Sequence, residues 1–183
     1  SIHTADVEAA KLAKTSYFYV VDGDAKVVQD FKFAHIAEEQ DLVHVYRSAN
    51  PINNLTYGYG GVKLLPTTLT RNMDTTTNDM TTSISDKFKV MNEVSNITAF
   101  DTDAFSTWKS AFRECAKLAS KTINRQDEEE TNARLKTWTT YATGSYKRDA
   151  LRGANAGMQF GLSNSSSLNL INDFDWLKEQ FDD

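Results

Sequence analysis

Apolar positions in this chain fall into two regimes. Up to residue 100 they come in short runs broken by polar turns; from residue 101 onward they recur at helical spacing. The first segment, Thr4 to Lys14, carries Val7, Ala10, Leu12 and Ala13 as one stripe. That spacing predicts an amphipathic helix with Thr4 as N-cap and Asp6 and Glu8 in its first turn. Tyr17-Phe18-Tyr19-Val20-Val21 then reads as a strand buried on both faces, as in the parallel core of an α/β sheet. It stops at Asp22-Gly23-Asp24. Leu42 to Tyr46 and Val62 to Leu65 are two further strand candidates, the second closed by Pro66. Between them lie a loop, Arg47 to Asn54, and a glycine-rich turn, Tyr57-Gly58-Tyr59-Gly60-Gly61. Thr67 to Thr82 is dense in Thr, Asn and Asp and predicts an irregular loop or lid.

In the second regime Phe105, Trp108, Phe112, Cys115 and Ala119 repeat at helical intervals. They predict a helix over Ala104 to Thr122, capped by Asp101 or Asp103. Gln126 to Tyr141 predicts a second helix with Leu135 and Trp138 inward. Lys147 to Phe160 predicts a third, ending near Gly161. A Ser/Asn-rich linker, Ser163 to Ser167, leads to an aromatic tail with Phe174, Trp176 and Phe181 that should dock on the domain. The order of elements predicts an α/β core over residues 1–100 and a helical C-terminal part over 101–183 of the same domain.

Composition narrows the class. With 183 residues the chain is long enough for a core that needs no staples. No apolar run is long enough to span a bilayer, so no membrane is expected. Twenty basic and 25 acidic residues leave a net charge of −5, which disfavours a basic nucleic-acid coat protein. The single cysteine, Cys115, excludes an internal disulfide and fits a reducing, cytoplasmic compartment. His3, His35 and His44 are the only histidines and form no HxxxH or HExxH pattern.

Three constellations could carry chemistry. Asp22 and Asp24 are delivered by an apolar strand to its end, where open α/β sheets bind ligands. Two neighbouring carboxylates repel, and a hard cation such as Mg²⁺ or Mn²⁺ relieves that repulsion while taking further ligands from phosphate. An ordinary Asp-Gly turn is the bland alternative. Second, Arg47 follows a strand and could pair with phosphate, with Gly60 and Gly61 opening backbone amides, Lys63 adding charge and Tyr59 stacking on a sugar or base. The GKS/GKT ending of a P-loop is missing. Third, Asp103 or Glu114 could serve as general base towards an acceptor hydroxyl, although helix capping and an exposed ion pair with Arg113 explain them as well.

Tyr17 to Asp24 resembles the DxD strand of GT-A-type glycosyltransferases. Together with Arg47-Ser48-Ala49-Asn50-Pro51-Ile52-Asn53, Tyr57 to Leu64, and Thr107 to Glu114, it resembles glycosyltransferase-like proteins of tailed bacteriophages. The resemblance runs from residue 1 to about 143. It implies a GT-A-like, Rossmann-related mixed sheet, abbreviated at its N-terminus, in which Asp22 and Asp24 hold Mn²⁺ or Mg²⁺ against the diphosphate of a nucleotide-sugar donor. It implies a hydroxyl acceptor, a modified phage DNA base or a protein, in the host cytoplasm. GT-A enzymes place a nucleotide-binding βαβ region before the DxD strand, whereas one helix precedes Tyr17 here. A partner chain or a preceding segment would then complete the donor pocket, or the pocket stays incomplete. Two competing expectations come from other classes: a non-catalytic phage interaction protein on the same scaffold, and a metal-dependent nuclease or phosphotransferase.

Overall fold

The computed structural model describes residues 2–58, 60–76, 80–122 and 127–183. Packing divides the chain into two compact units. Unit 1 comprises Ser1–Asn50 and Thr56–Thr98; unit 2 comprises Pro51–Leu55 and Ala99–Asp183.

Unit 1 is a mixed α/β layer. Helix α1 (Ile2–Leu12) starts ahead of Thr4, which therefore lies inside the helix rather than capping it. The strands are β1 (Tyr17–Val21), β2 (Ala25–Val27), β3 (Val43–Ala49), β4 (Thr56–Tyr57), β5 (Val62–Pro66) and β6 (Phe88–Thr98). They form one sheet in the order β1-β5-β3-β6-β2, with β4 also paired to β3. Among the described residues only β3 and β6 run parallel; every other pair is antiparallel. This corrects the expectation for β1, which is an antiparallel edge strand and not part of a parallel core. Its run of apolar residues arises because both faces are covered, and the tyrosine hydroxyls of the run bond to a loop.

A short connection shapes this sheet. β1 and β2 lie at opposite ends of the strand order, yet only residues 22–24 join them. Four inter-strand gaps would separate the edges of a flat sheet by about 19 Å. Four chain steps from Val21 to Ala25 reach at most about 14 Å. The sheet must therefore curl, and Asp22-Gly23-Asp24 clasps its two edges at one end. The clasp is a tight turn, with the Ala25 amide donating to the Asp22 carbonyl at 3.0 Å and the Asp22 amide to the Gly61 carbonyl at 2.9 Å.

Strand alternation sends side chains to two cores. On one face Val43, Val45 and Leu65 meet Val7, Phe18, Val20, Met73 and Ile84. Helices α1, α2 (Thr67–Arg71) and α3 (Met80–Ile84) supply that layer. The segment expected as a loop or lid thus holds two short helices, α2 starting directly after Pro66. Arg71 of α2 donates to the carbonyls of Ala10 and Ala13, both at 2.8 Å, and so satisfies the open end of α1. On the other face Tyr46, Val62 and Leu64 meet Phe31, Tyr17, Tyr19 and Met91 beneath the loop of residues 28–42.

Unit 2 is helical: α4 (Ala104–Ser120), α5 (Glu128–Thr140), α6 (Lys147–Ser163), a 3-10 segment (Ser165–Asn172) and α7 (Phe174–Asp182). Asp127 caps α5, its carboxylate accepting from the Glu130 amide at 2.8 Å; Gln126, the expected start, lies outside the described residues. Helix α6 does not end at Gly161. Gly153, Gly157 and Gly161 form a stripe one turn apart, laid on the backbone of α4. A Cβ on them would stand 2.3, 2.1 and 2.3 Å from the carbonyl oxygens of Trp108, Phe112 and Ala116. The glycines are there for close approach, and the helix continues past them. The Ser163 to Ser167 linker is mostly the 3-10 segment. As expected, the aromatic tail docks: Trp108, Phe112 and Ala116 pack with Leu168, Ile171 and Leu177, flanked by Trp176 and Phe181. The Pro51–Leu55 excursion is tied to these helices by the Thr143 amide, which donates to the Ile52 carbonyl at 2.7 Å.

Candidate functional site

The clasp carries the candidate site. Lys63 sits on β5 on the same face as Leu65, and only 4 % of it is exposed. A buried ammonium needs a partner. Its Nζ donates to Asp22 Oδ1 at 2.9 Å and to the Gly60 carbonyl. Gly60 has φ +81°, a left-handed conformation that lets its carbonyl turn to Lys63. The acidic turn and the glycine turn, far apart in sequence, are therefore one assembly joined by Lys63.

Asp6 is the member that sequence reading missed. It projects from α1, is 5 % exposed, and its Oδ2 has no hydrogen-bond partner. Burial raises its carboxyl above the ordinary value; Lys63 and His3 pull it back down, and Asp22 pushes it up. His3 on the same helix also buries an unpartnered Nε2. A helical stripe gives no signal for this, because an acid near a helix N-terminus is expected to point to water.

The remaining expected residues fall in several places. Asp24 is exposed, and no hydrogen bond or ion pair engages its carboxylate among the described residues. Gly61 is buried against Asn96, whose amide nitrogen a Cβ would meet at 2.6 Å. That glycine serves the curled sheet. Asn96 is itself fixed by the hydroxyls of Ser48 and Ser95, at 2.8 and 2.9 Å. Arg47 lies inside β3 rather than after it, beside register shifts against β6, and is half-buried. Tyr59 lies outside the described residues.

Asp103 and Glu114 belong to unit 2, whereas Asp22, Asp24 and Lys63 belong to unit 1. Asp103 is the N-cap of α4. It accepts from the Ser106 amide and hydroxyl, both at 2.7 Å, and these bonds hold its carboxyl below the ordinary range. Glu114 is half-buried three turns along, about 16 Å away on the helix axis, so the two carboxylates do not converge.

The donor set at the clasp is Asp22 Oδ2 and the Asp24 carboxylate, with Asp22 Oδ1 already held by Lys63. Among the described residues no cluster of three or more His, Cys, Asp and Glu side chains forms a metal-binding group. By donor chemistry alone, carboxylate oxygens are the type that hard cations accept. Among the described residues no helix is long and apolar enough to cross a membrane. Comparison with protein-family models, curated proteins and solved structures found no match.

Proposed function

We propose that the clasp of unit 1 is a divalent-metal-dependent site for the diphosphate of a nucleotide sugar. The chain is then a GT-A-like glycosyltransferase, or a truncated relative, acting on a hydroxyl acceptor in the cytoplasm of a phage host. The observation that carries this reading is the Lys63 bridge. It brings the DGD turn and the glycine turn together around a buried cation. Asp24 and the second oxygen of Asp22 would hold Mn²⁺ or Mg²⁺. That ion would supply charge neutralisation for a leaving diphosphate. Lys63 fixes the Asp22 carboxylate, so that one of its oxygens faces inward and the other stays available. Gly23 leaves room at the turn, since nothing lies within 4 Å of where its Cβ would be.

A second reading is a non-catalytic binding protein on the same scaffold. It is favoured by Asp103, which is spent as a helix cap and is no poised base. Calorimetric titration with UDP-glucose and other nucleotide sugars, with and without Mn²⁺, tests the first reading. Metal-dependent binding is expected in the native chain, and Asp24→Asn should abolish it without changing thermal unfolding. Binding that ignores metal, or survives in Asp24→Asn, overturns the metal site. Absence of binding to every donor leaves the non-catalytic reading.

A further inference from the structure

The face of the sheet opposite α1 holds a second cluster of chemistry-bearing side chains. His44 is on β3, between Leu64 of β5 and Lys89 of β6 in register. It is 2 % exposed, and its Nδ1 is buried without a hydrogen-bond partner. An orphaned buried nitrogen is costly and asks for an occupant. The ring of His35 faces it, with centroids 4.7 Å apart and planes at 57°. His35 is exposed, and neither of its ring nitrogens is hydrogen-bonded among the described residues.

His35 is held there by its loop. Phe33 adopts φ +53°, a left-handed conformation that is uncommon for a bulky residue. Its ring packs edge-on against Tyr19 and Phe31, with centroids 5.1 and 4.6 Å away. The Tyr19 hydroxyl accepts the His35 amide at 3.2 Å. Downstream, the Tyr17 hydroxyl donates to the Leu42 carbonyl at 3.0 Å and accepts its amide at 3.1 Å. Two strand tyrosines thus pin an irregular loop so that an exposed imidazole covers a buried one.

Metal–imidazole bonds are about 2.0–2.1 Å, so two rings bound side by side on one ion at about 90–110° have centroids about 4.5–5.2 Å apart. The observed separation lies inside that window. We propose that His35 and His44 form a two-imidazole site for a late divalent transition metal of the Zn²⁺, Ni²⁺ and Cu²⁺ class, with water completing the coordination. Imidazole suits these ions, whereas the clasp carboxylates suit Mg²⁺ and Mn²⁺. The two sites use different ligands and opposite faces of the sheet. Burial is the largest influence holding the His44 imidazole below its ordinary value; His35 and Lys89 add to it, and the Leu64 backbone and Glu39 oppose it.

Titration of the full chain with ZnCl₂, and Cu²⁺ electron paramagnetic resonance, test the proposal. One ion per chain is expected, with a spectrum showing two coupled nitrogens. His35→Asn changes an exposed residue and should leave folding intact. It should weaken Zn²⁺ binding by about tenfold or more and reduce the coupling to one nitrogen. The Asp22→Asn/Asp24→Asn double variant should bind Zn²⁺ as the native chain does, whatever becomes of nucleotide-sugar binding. Failure of the native chain to bind Zn²⁺ at millimolar concentration, or unchanged binding in His35→Asn, overturns the proposal. So does loss of Zn²⁺ binding in the clasp double variant.

Discussion

The two units solve the same packing problem with opposite materials. Unit 2 buries aromatic rings and small residues; Asn53, Thr107 and Thr131 are its only buried polar side chains among the described residues. Unit 1 buries a lysine, an aspartate, a histidine and Asn96 within or against one small sheet. The unpartnered buried atoms divide the same way: those of His3, Asp6, His44, Asn96 and Thr98 lie in unit 1, and that of Asn53 in unit 2. A core of rings and glycines asks only for shape. A core holding charges is costly unless each charge is answered, which is why the candidate chemistry concentrates in unit 1.

Substitutions can sharpen or break that contrast. The largest effect is expected at Gly157, where any side chain meets the Phe112 carbonyl. Gly157→Val should destabilise unit 2 by about 3 kcal/mol. The three tryptophans, Trp108, Trp138 and Trp176, all belong to unit 2, so denaturant unfolding followed by their fluorescence reads it directly. An unshifted midpoint would mean that shape is not what limits this unit. Next comes Lys63→Met, which strands Asp22 and leaves Asp6 without the cation that most offsets its burial. Breaking a fully buried pair costs about 3–5 kcal/mol; here about 2 kcal/mol is expected, because Asp22 still touches water. Loss of tyrosine and backbone circular-dichroism signals would report it, and metal-dependent nucleotide binding should fall as well.

Asp6→Asn should act in the other direction. The folded state raises the Asp6 carboxyl above 3.8, so its contribution to stability is fully present below that pH and is lost as pH rises through the folded value. The amide removes that loss. The variant should therefore melt higher than the native chain at pH 7, and the two should converge below pH 3.8. A variant that melts lower at pH 7 would mean that the Asp6 charge is answered after all. The smallest effect is expected at Gly23. With nothing near its Cβ position, Gly23→Ala should change stability by no more than about 0.5 kcal/mol. A larger loss would show that the clasp is strained.

Much of this architecture can be read from sequence where one periodicity runs unbroken. Helices α4, α5 and α6 and strands β1, β3 and β5 are of that kind. Strand β6 is not: two register shifts against β3 break its alternation, so Phe88 to Thr98 shows no clean period of two. Strand β2, at three residues, is too short to carry a pattern. The glycine stripe of α6 was visible as a four-residue repeat, but a lone glycine near a helix end suggests termination, and only the facing backbone of α4 reveals its use. Asp22, Asp24, Gly60 and Lys63 were legible as candidates; the union of Asp22 and Gly60 through the Lys63 ammonium was not, because it depends on the sheet curling. Asp6 gave no signal, since Lys63 is distant in sequence; His35 and His44 are close in sequence, but they meet only through the irregular course of the loop before β3.

The Pro51–Leu55 excursion has a consequence for how the chain is made. Ile52 is buried in unit 2, and its carbonyl is bonded by Thr143, 91 residues downstream. Synthesis at about 5–20 residues per second separates the two by roughly 5–18 s. Unit 1 can assemble around β3, β4 and β5 during that interval, while the loop between β3 and β4 waits as a bare apolar hook. The nascent chain thus exposes a defined, short-lived adhesive site that closes only when the end of α5 has left the ribosome.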